Sequence, residues 1–199
     1  MKLVTSALVL SLSLMACSKS DKKLNGESND NNKIQGNFAS VTYIGTDLED
    51  SKTSSDPGHM LNVYSINGNK MILAEIDLEN KIYMVSNYDV LLDGETVTVI
   101  PTTHTCSENN PNYKSIIGNE LATNMVVTEK SLTVTYKKSD TKEVMAKITE
   151  EDLKILQNKV EREFELLNGD NCSKESKTSD YNVESEAEIL RIMNEFIAQ

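Results

Sequence analysis

A mainly β domain, an antiparallel barrel or sandwich of about eight strands with one or two C-terminal helices, is the fold class this sequence predicts. Three observations lead there. Between Phe38 and Ile148 apolar residues alternate with polar ones in short runs separated by turn signals. Asn67-Gly68 and Asp93-Gly94, both dipeptides that accept positive φ, fall between such runs. After Thr149 the apolar spacing lengthens to three and four, the period of an amphipathic helix.

The strands follow in order. Residues 38–44 (FASVTYI) set Ala39, Val41 and Tyr43 on one face and Ser40 and Thr42 on the other. Residues 60–66 form a second strand, closed by Asn67-Gly68. Ile72, Ala74, Ile76 and Leu78 alternate with Leu73, Glu75, Asp77 and Glu79, as in a half-buried strand. The apolar run 82–92 reads as one bent strand or two short ones. Residues 96–100 (TVTVI) make a strand that Pro101 ends. Residues 119–128, 131–137 and 142–148 complete a meander. Leu132, Val134 and Tyr136 share one face of their strand, as do Val144, Ala146 and Ile148 of theirs.

A helix is expected to start at Thr149, where Thr149 and Asp152 form a near capping box and Glu150 and Glu151 suit the positive helix end. Its stripe is Leu153, Leu156, Val160, Phe164 and Leu167, and Gly169 is placed to stop it. A polar loop carrying Cys172 follows. A second helix is expected over residues 183–198, with Ala187, Leu190, Met193 and Ile197 on one side.

The other end of the chain has a different logic. Lys2 precedes an uncharged apolar run, residues 3–15, that is shorter than the roughly 20 residues a bilayer span requires. A positive start, a short apolar run and small residues before a cut mark a signal peptide. Leu14-Met15-Ala16-Cys17 resembles the lipobox of bacterial lipoproteins. The resemblance covers about the first eighteen residues, and Met15 departs from the smaller residue usual at its place. It implies diacylglycerol on the Cys17 thiol, cleavage after residue 16 and acylation of the new amine. Two or more acyl chains anchor a protein stably where one does not. Ser18 after that Cys is the type sorted to an outer membrane, which implies a lipid-anchored envelope protein facing the periplasm or the surface. Residues 17–33 are polar and nearly free of apolar side chains, a tether too poor in apolar surface to fold alone. As a coil it reaches roughly 20–25 Å. Residues 34–170 are then the β domain with its packed helix, and 171–199 the polar loop and C-terminal amphipathic helix.

The formal net charge of −11 becomes −12 once Lys2 leaves with the signal. An acidic domain repels nucleic acid and anionic headgroups, so no nucleic-acid partner is expected and the lipid must supply membrane attachment. Export also bears on the cysteines. Beyond Cys17 there are two, Cys106 and Cys172. In an oxidising compartment such a pair reads as a disulfide, with free thiols or a metal site as the alternatives.

Residues 34–38 (IQGNF) at the first strand resemble the Gly-x-Trp entry of lipocalin-like domains, with Phe38 in place of Trp in a chain without Trp. Residues 125–148 look like the closing hairpins of that family. The resemblance spans roughly residues 34–167. It implies a closed barrel, often with a cavity for a small apolar ligand, and a basic residue packed on the entry aromatic, for which Lys147 is the candidate. A generic β-sandwich accounts for the same pattern.

No phosphate loop, nucleophile elbow or His-Glu-x-x-His motif is present. The histidines are His59 and His104. His104-Thr105-Cys106 could begin a metal site or supply a Cys nucleophile, but pairing explains the thiol better. Asp47, Glu49, Asp50 and Asp56 could offer oxygen ligands to Ca²⁺, although the spacing lacks EF-hand features and a solvated acidic loop explains them. No catalytic residue, metal or cofactor is therefore assigned. The expected function is that of a non-enzymatic lipid-anchored envelope lipoprotein, binding a small apolar ligand or a protein partner. The alternatives are a structural or interaction protein without a pocket, and an enzyme of a type no motif reveals.

Overall fold

The computed structural model describes residues 34–44, 58–93, 96–138, 142–174 and 181–198. Cys17, the tether, Asp47, Glu49, Asp50, Asp56 and Gly94 lie outside them. Eight strands form the body: β1 (Gly36–Ile44), β2 (Gly58–Asn67), β3 (Lys70–Asp77), β4 (Ile82–Asp93), β5 (Thr96–His104), β6 (Leu121–Val127), β7 (Ser131–Tyr136) and β8 (Lys142–Ile148). Each pairs antiparallel with the next, and β8 returns to β1 through Asn37↔Ile148, Phe38↔Lys147 and Ala39↔Ala146. Of barrel and sandwich, the chain therefore forms the closed barrel, in which no long edge stays unpaired.

Two short strands complete the edges that remain. β9 (Glu165–Leu166) runs parallel to the start of β4, and β10 (Tyr181–Asn182) pairs with Thr42 and Tyr43 of β1 beyond the β8 seam. The helices are α1 (Pro111–Ile116), α2 (Glu150–Glu163) and α3 (Glu186–Ala198). None of the described helices is long and apolar enough to cross a membrane.

Alternation along the strands splits the apolar residues between two cores. Ala39, Val41, Leu61, Val63, Ile76, Ala146 and Ile148 face outward and are covered by Leu153, Leu156 and Val160 of α2 and by Ile189, Ile192, Met193 and Phe196 of α3. Phe38, Tyr64, Leu73, Val97, Leu132 and Met145 fill the lumen. Both sides of β1, β2 and β8 are thus buried, and Ser40 and Thr42 lie on the lumen side.

Several boundaries differ from the expectations above. The first hairpin turns at Gly68-Asn69, because Asn67 still pairs with Lys70 and only Gly68 has positive φ. β4 is one strand, with a register shift between Asn87 and Tyr88. β5 does not end at Pro101 but runs on to His104. Tyr88 pairs with Pro101 and Asn87 with Thr103, so the shift leaves Thr102 as a bulge beside Pro101, and on the other side β6 pairs only with Thr96–Val99. α2 ends at Glu163 rather than at Gly169, because Phe164 is extended and the chain enters β9, carrying Leu167 into a buried cluster with Ile82, Met84, Cys106 and Cys172. α3 starts at Glu186 rather than Val183, whose N–H is bonded to Val41 O. The capping box at Thr149 and Asp152 is complete.

Gly36 sits where the chain enters the barrel, at a φ of +145°. A Cβ there would stand 3.2 Å from Phe38 Cζ. The register sets Lys147 opposite Phe38, and its Cε would lie 3.8 Å from the same Cβ. Gly36→Ala should therefore lower stability by about 1–3 kcal/mol through backbone strain and displacement of the Phe38 ring. A urea titration of both proteins measures it; an unchanged midpoint would show that Gly36 is not required.

Candidate functional site

The lumen has two chemically distinct halves. The antiparallel order puts the start of β1, the β2–β3, β4–β5 and β6–β7 turns and the end of β8 at one rim, here the entry rim. The half near it is apolar, built from Phe38, Ile66, Met71, Val90, Val97 and Leu132. A cavity of ≈ 20 Å³ remains there, bordered by Tyr64, Met71, Val99, Met125, Leu132 and Tyr136. That is room for about one water, against roughly 300–1,000 Å³ for a ligand pocket.

The half toward the far rim is polar. Glu143, buried on β8, accepts from Ser40 Oγ at 2.6 Å, Tyr64 Oη at 3.0 Å and Tyr136 Oη at 3.2 Å. These donors come from β1, β2 and β7, so one carboxyl group ties four strands together across the lumen. The tyrosines stay protonated as donors. Burial first, then the Glu143 charge, pushes Tyr64 and Tyr136 well above the ordinary phenol range. Burial and Glu75 push Tyr88 up to about 12.

Asn62 and His104 complete the polar half and are its least satisfied members. Asn62 Nδ2 donates to Ser40 Oγ at 3.4 Å and Thr42 Oγ1 at 3.3 Å, while its Oδ1 is buried without a partner. His104 is 5 % exposed. Its Nδ1 accepts the Cys106 N–H at 2.9 Å, which assigns the ring proton to Nε2. Nε2 is also without a hydrogen-bond partner, 3.8 Å from Glu75 Oε2. Glu75 is the cross-strand partner of Asn62 on β2, and its partly exposed carboxyl is the one near His104 Nε2.

The surroundings explain the pose of His104. Asn110 caps α1 by accepting from Asn112 N–H, and Pro111 opens the helix. α1 lays Tyr113 flat on the imidazole, with ring centroids 3.6 Å apart. The sulfurs of Cys106 and Cys172 are 2.03 Å apart, a disulfide that joins the end of β5 to the 3-10 turn Gly169–Lys174. Closing a loop of 66 residues stabilises by about 4 kcal/mol in the chain-entropy model. The pairing leaves no thiol beside His104 for nucleophilic chemistry. Among the described residues no three His, Cys, Asp or Glu side chains gather as metal ligands.

The sequence drew attention to His104 for its neighbour Cys106 but not to Asn62, Glu75, Tyr64, Tyr136 or Glu143. Glu143 stands in a run whose apolar face was Val144, Ala146 and Ile148, and nothing local distinguishes it from a solvated acid. α1 and Tyr113 were also missed, although Asn110-Pro111 is a helix-start signal.

Burial lowers the His104 pKa to about 4, against about 6.5 in an unfolded chain. Below pH 6.5 the unfolded state binds the extra proton, so stability falls as pH drops from about 6.5 toward 4. With allowance for solvent on the Glu75 side, the loss should reach about 2 kcal/mol. Urea midpoints measured between pH 7 and 5 should decline less for His104→Gln than for the native chain. Parallel declines would remove His104 as the cause.

No family model, curated protein or solved structure matches this chain.

Proposed function

We propose that this chain is a non-enzymatic, lipid-anchored lipoprotein of the bacterial cell envelope whose lipocalin-like barrel binds a small polar ligand. Attachment rests on the lipobox-like residues 14–17 and acylation of Cys17. The observation that carries the binding reading is the pair of buried, unpartnered atoms, Asn62 Oδ1 and His104 Nε2, whose residues respectively pair with Glu75 across the sheet and lie near its carboxyl. A buried polar atom without a partner costs about 1–3 kcal/mol. A ligand offering a donor to Asn62 Oδ1 and an acceptor to the His104 Nε2–H recovers that cost. Glu75 and Glu143 share the lumen, and among the described residues no Lys or Arg is buried in it, which disfavours an anion. The cavity bordered by Tyr64, Met71 and Leu132 has room for about one water, well short of an apolar ligand's volume.

Two measurements test the parts separately. Intact-mass spectrometry of the membrane fraction should find Cys17 as an acylated N-terminus, and Cys17→Ala should yield a soluble or uncleaved protein. A cleaved Cys17→Ala protein that stays on the membrane would sink the anchor. Ethanolamine, a cation with a hydroxyl acceptor, should raise Tm by about 2–4 °C for each 1 kcal/mol of binding, and acetate should not. Asn62→Leu should abolish the rise. Equal responses to both probes, or no response to ethanolamine, would reject the polar site.

A further inference from the structure

Exposed apolar side chains gather at the entry rim. Leu91 (51 % exposed) and Leu92 (39 %) end β4, and Val126 (61 %) and Val127 (44 %) end β6. The register brings these ends together: Leu92 and Thr123 flank Val97 of β5 from either side. Two strand spacings, roughly 10 Å, separate them, and Val126 lies three residues farther along β6 toward the same rim. Alternation points Leu91 and Val126 outward, opposite the buried Val90 and the half-buried Met125. Among the described residues α2 and α3 pack on β1, β2, β3 and β8 and not on these ends of β4 and β6.

The chain enters β1 at this same rim, at Gly36. If Cys17 carries the lipid, as proposed above, the chain between lipid and barrel joins the barrel at this rim, and as a coil it has an r.m.s. reach of roughly 20–25 Å. A tether of that length holds a surface at high effective concentration, so a small apolar contact suffices to dock it. Charge at this rim is mixed: Glu129 and Lys130 are both exposed in the β6–β7 turn, Asp93 ends β4 beside Leu92, Lys147 is exposed on β8, and Glu150, Glu151 and Asp152 open α2. Landing on the β4–β7 side presents the apolar tips to the headgroups and leaves the acidic start of α2 away from the apolar contact.

We infer that the entry rim docks on the lipid bilayer, with Leu91, Leu92, Val126 and Val127 seated at the boundary between headgroups and acyl chains. The far rim, with Glu75 and His104, then faces away from the membrane. This orientation rests on the acylation of Cys17.

The chain contains no Trp, so single reporters can be placed without background. Val126→Trp reads the entry rim, and Ile116→Trp, on the exposed side of α1, reads the far one. Both full-length acylated proteins would be reconstituted in phosphatidylethanolamine–phosphatidylglycerol vesicles with and without brominated acyl chains. Val126→Trp emission should shift to the blue and be quenched roughly twofold, as for a ring in the interfacial belt, with Ile116→Trp unaffected. Leu91→Trp should behave as Val126→Trp does. Equal quenching of both rims, or none, in vesicle-bound protein carrying its acyl chains would overturn the docked orientation and leave the anchor standing. Mass spectrometry showing no acyl chain on Cys17 would overturn the anchor, and this orientation with it.

Discussion

The structure depends on a short seam. Three residue pairs, Asn37↔Ile148, Phe38↔Lys147 and Ala39↔Ala146, close β8 onto β1 and turn an open meander into a barrel. Without them β1 and β8 would be free edges, and the lumen would be one face of an open sheet. The seam uses only the first part of β1. Beyond it, the edge at Thr42 and Tyr43 is taken by β10, which is reached only after the chain has passed along α2, β9 and the disulfide-linked turn. The C-terminal quarter of the chain is therefore part of the closure and not an appendage to it.

Closure makes the lumen a place where chemistry is amplified. Removed from water, Glu143 requires donors, and Ser40, Tyr64 and Tyr136 supply three from as many strands. Such a network holds the register of β1, β2, β7 and β8 as firmly as an apolar layer, because breaking one bond strands a buried charge or hydroxyl. The same removal from water makes the open valences of Asn62 and His104 informative. Among the described residues they are the two buried side-chain atoms left without a partner, and the proposed polar site rests on them.

The disulfide and α1 act on that site indirectly. Cys172 holds Cys106 in place, the Cys106 N–H fixes the His104 tautomer, and Tyr113 covers the ring. The polar end of the barrel is thus positioned by elements outside it. The apolar end is built differently, from lumen side chains alone, and keeps its exposed tips at the rim where the chain enters.

By itself, the sequence determined the strand content, the change to helical period at Thr149 and the capping box, because these are written in spacings of two, three and four residues. Which face of each strand is the lumen was not legible. Ala39, Val41, Ala146 and Ile148 read as core-facing, and they do face a core, but one beneath α2 and α3 outside the barrel. Alternation reveals that two faces exist, while only closure and helix packing decide which encloses the lumen. For that reason Ser40, Asn62, Glu75 and Glu143, which local pattern assigns to solvent, became the lining of the candidate site. The passage of β5 through Pro101 and the early end of α2 were likewise tertiary decisions. In each, a local stop signal yielded to a bulge or to a strand pairing available only in the folded chain.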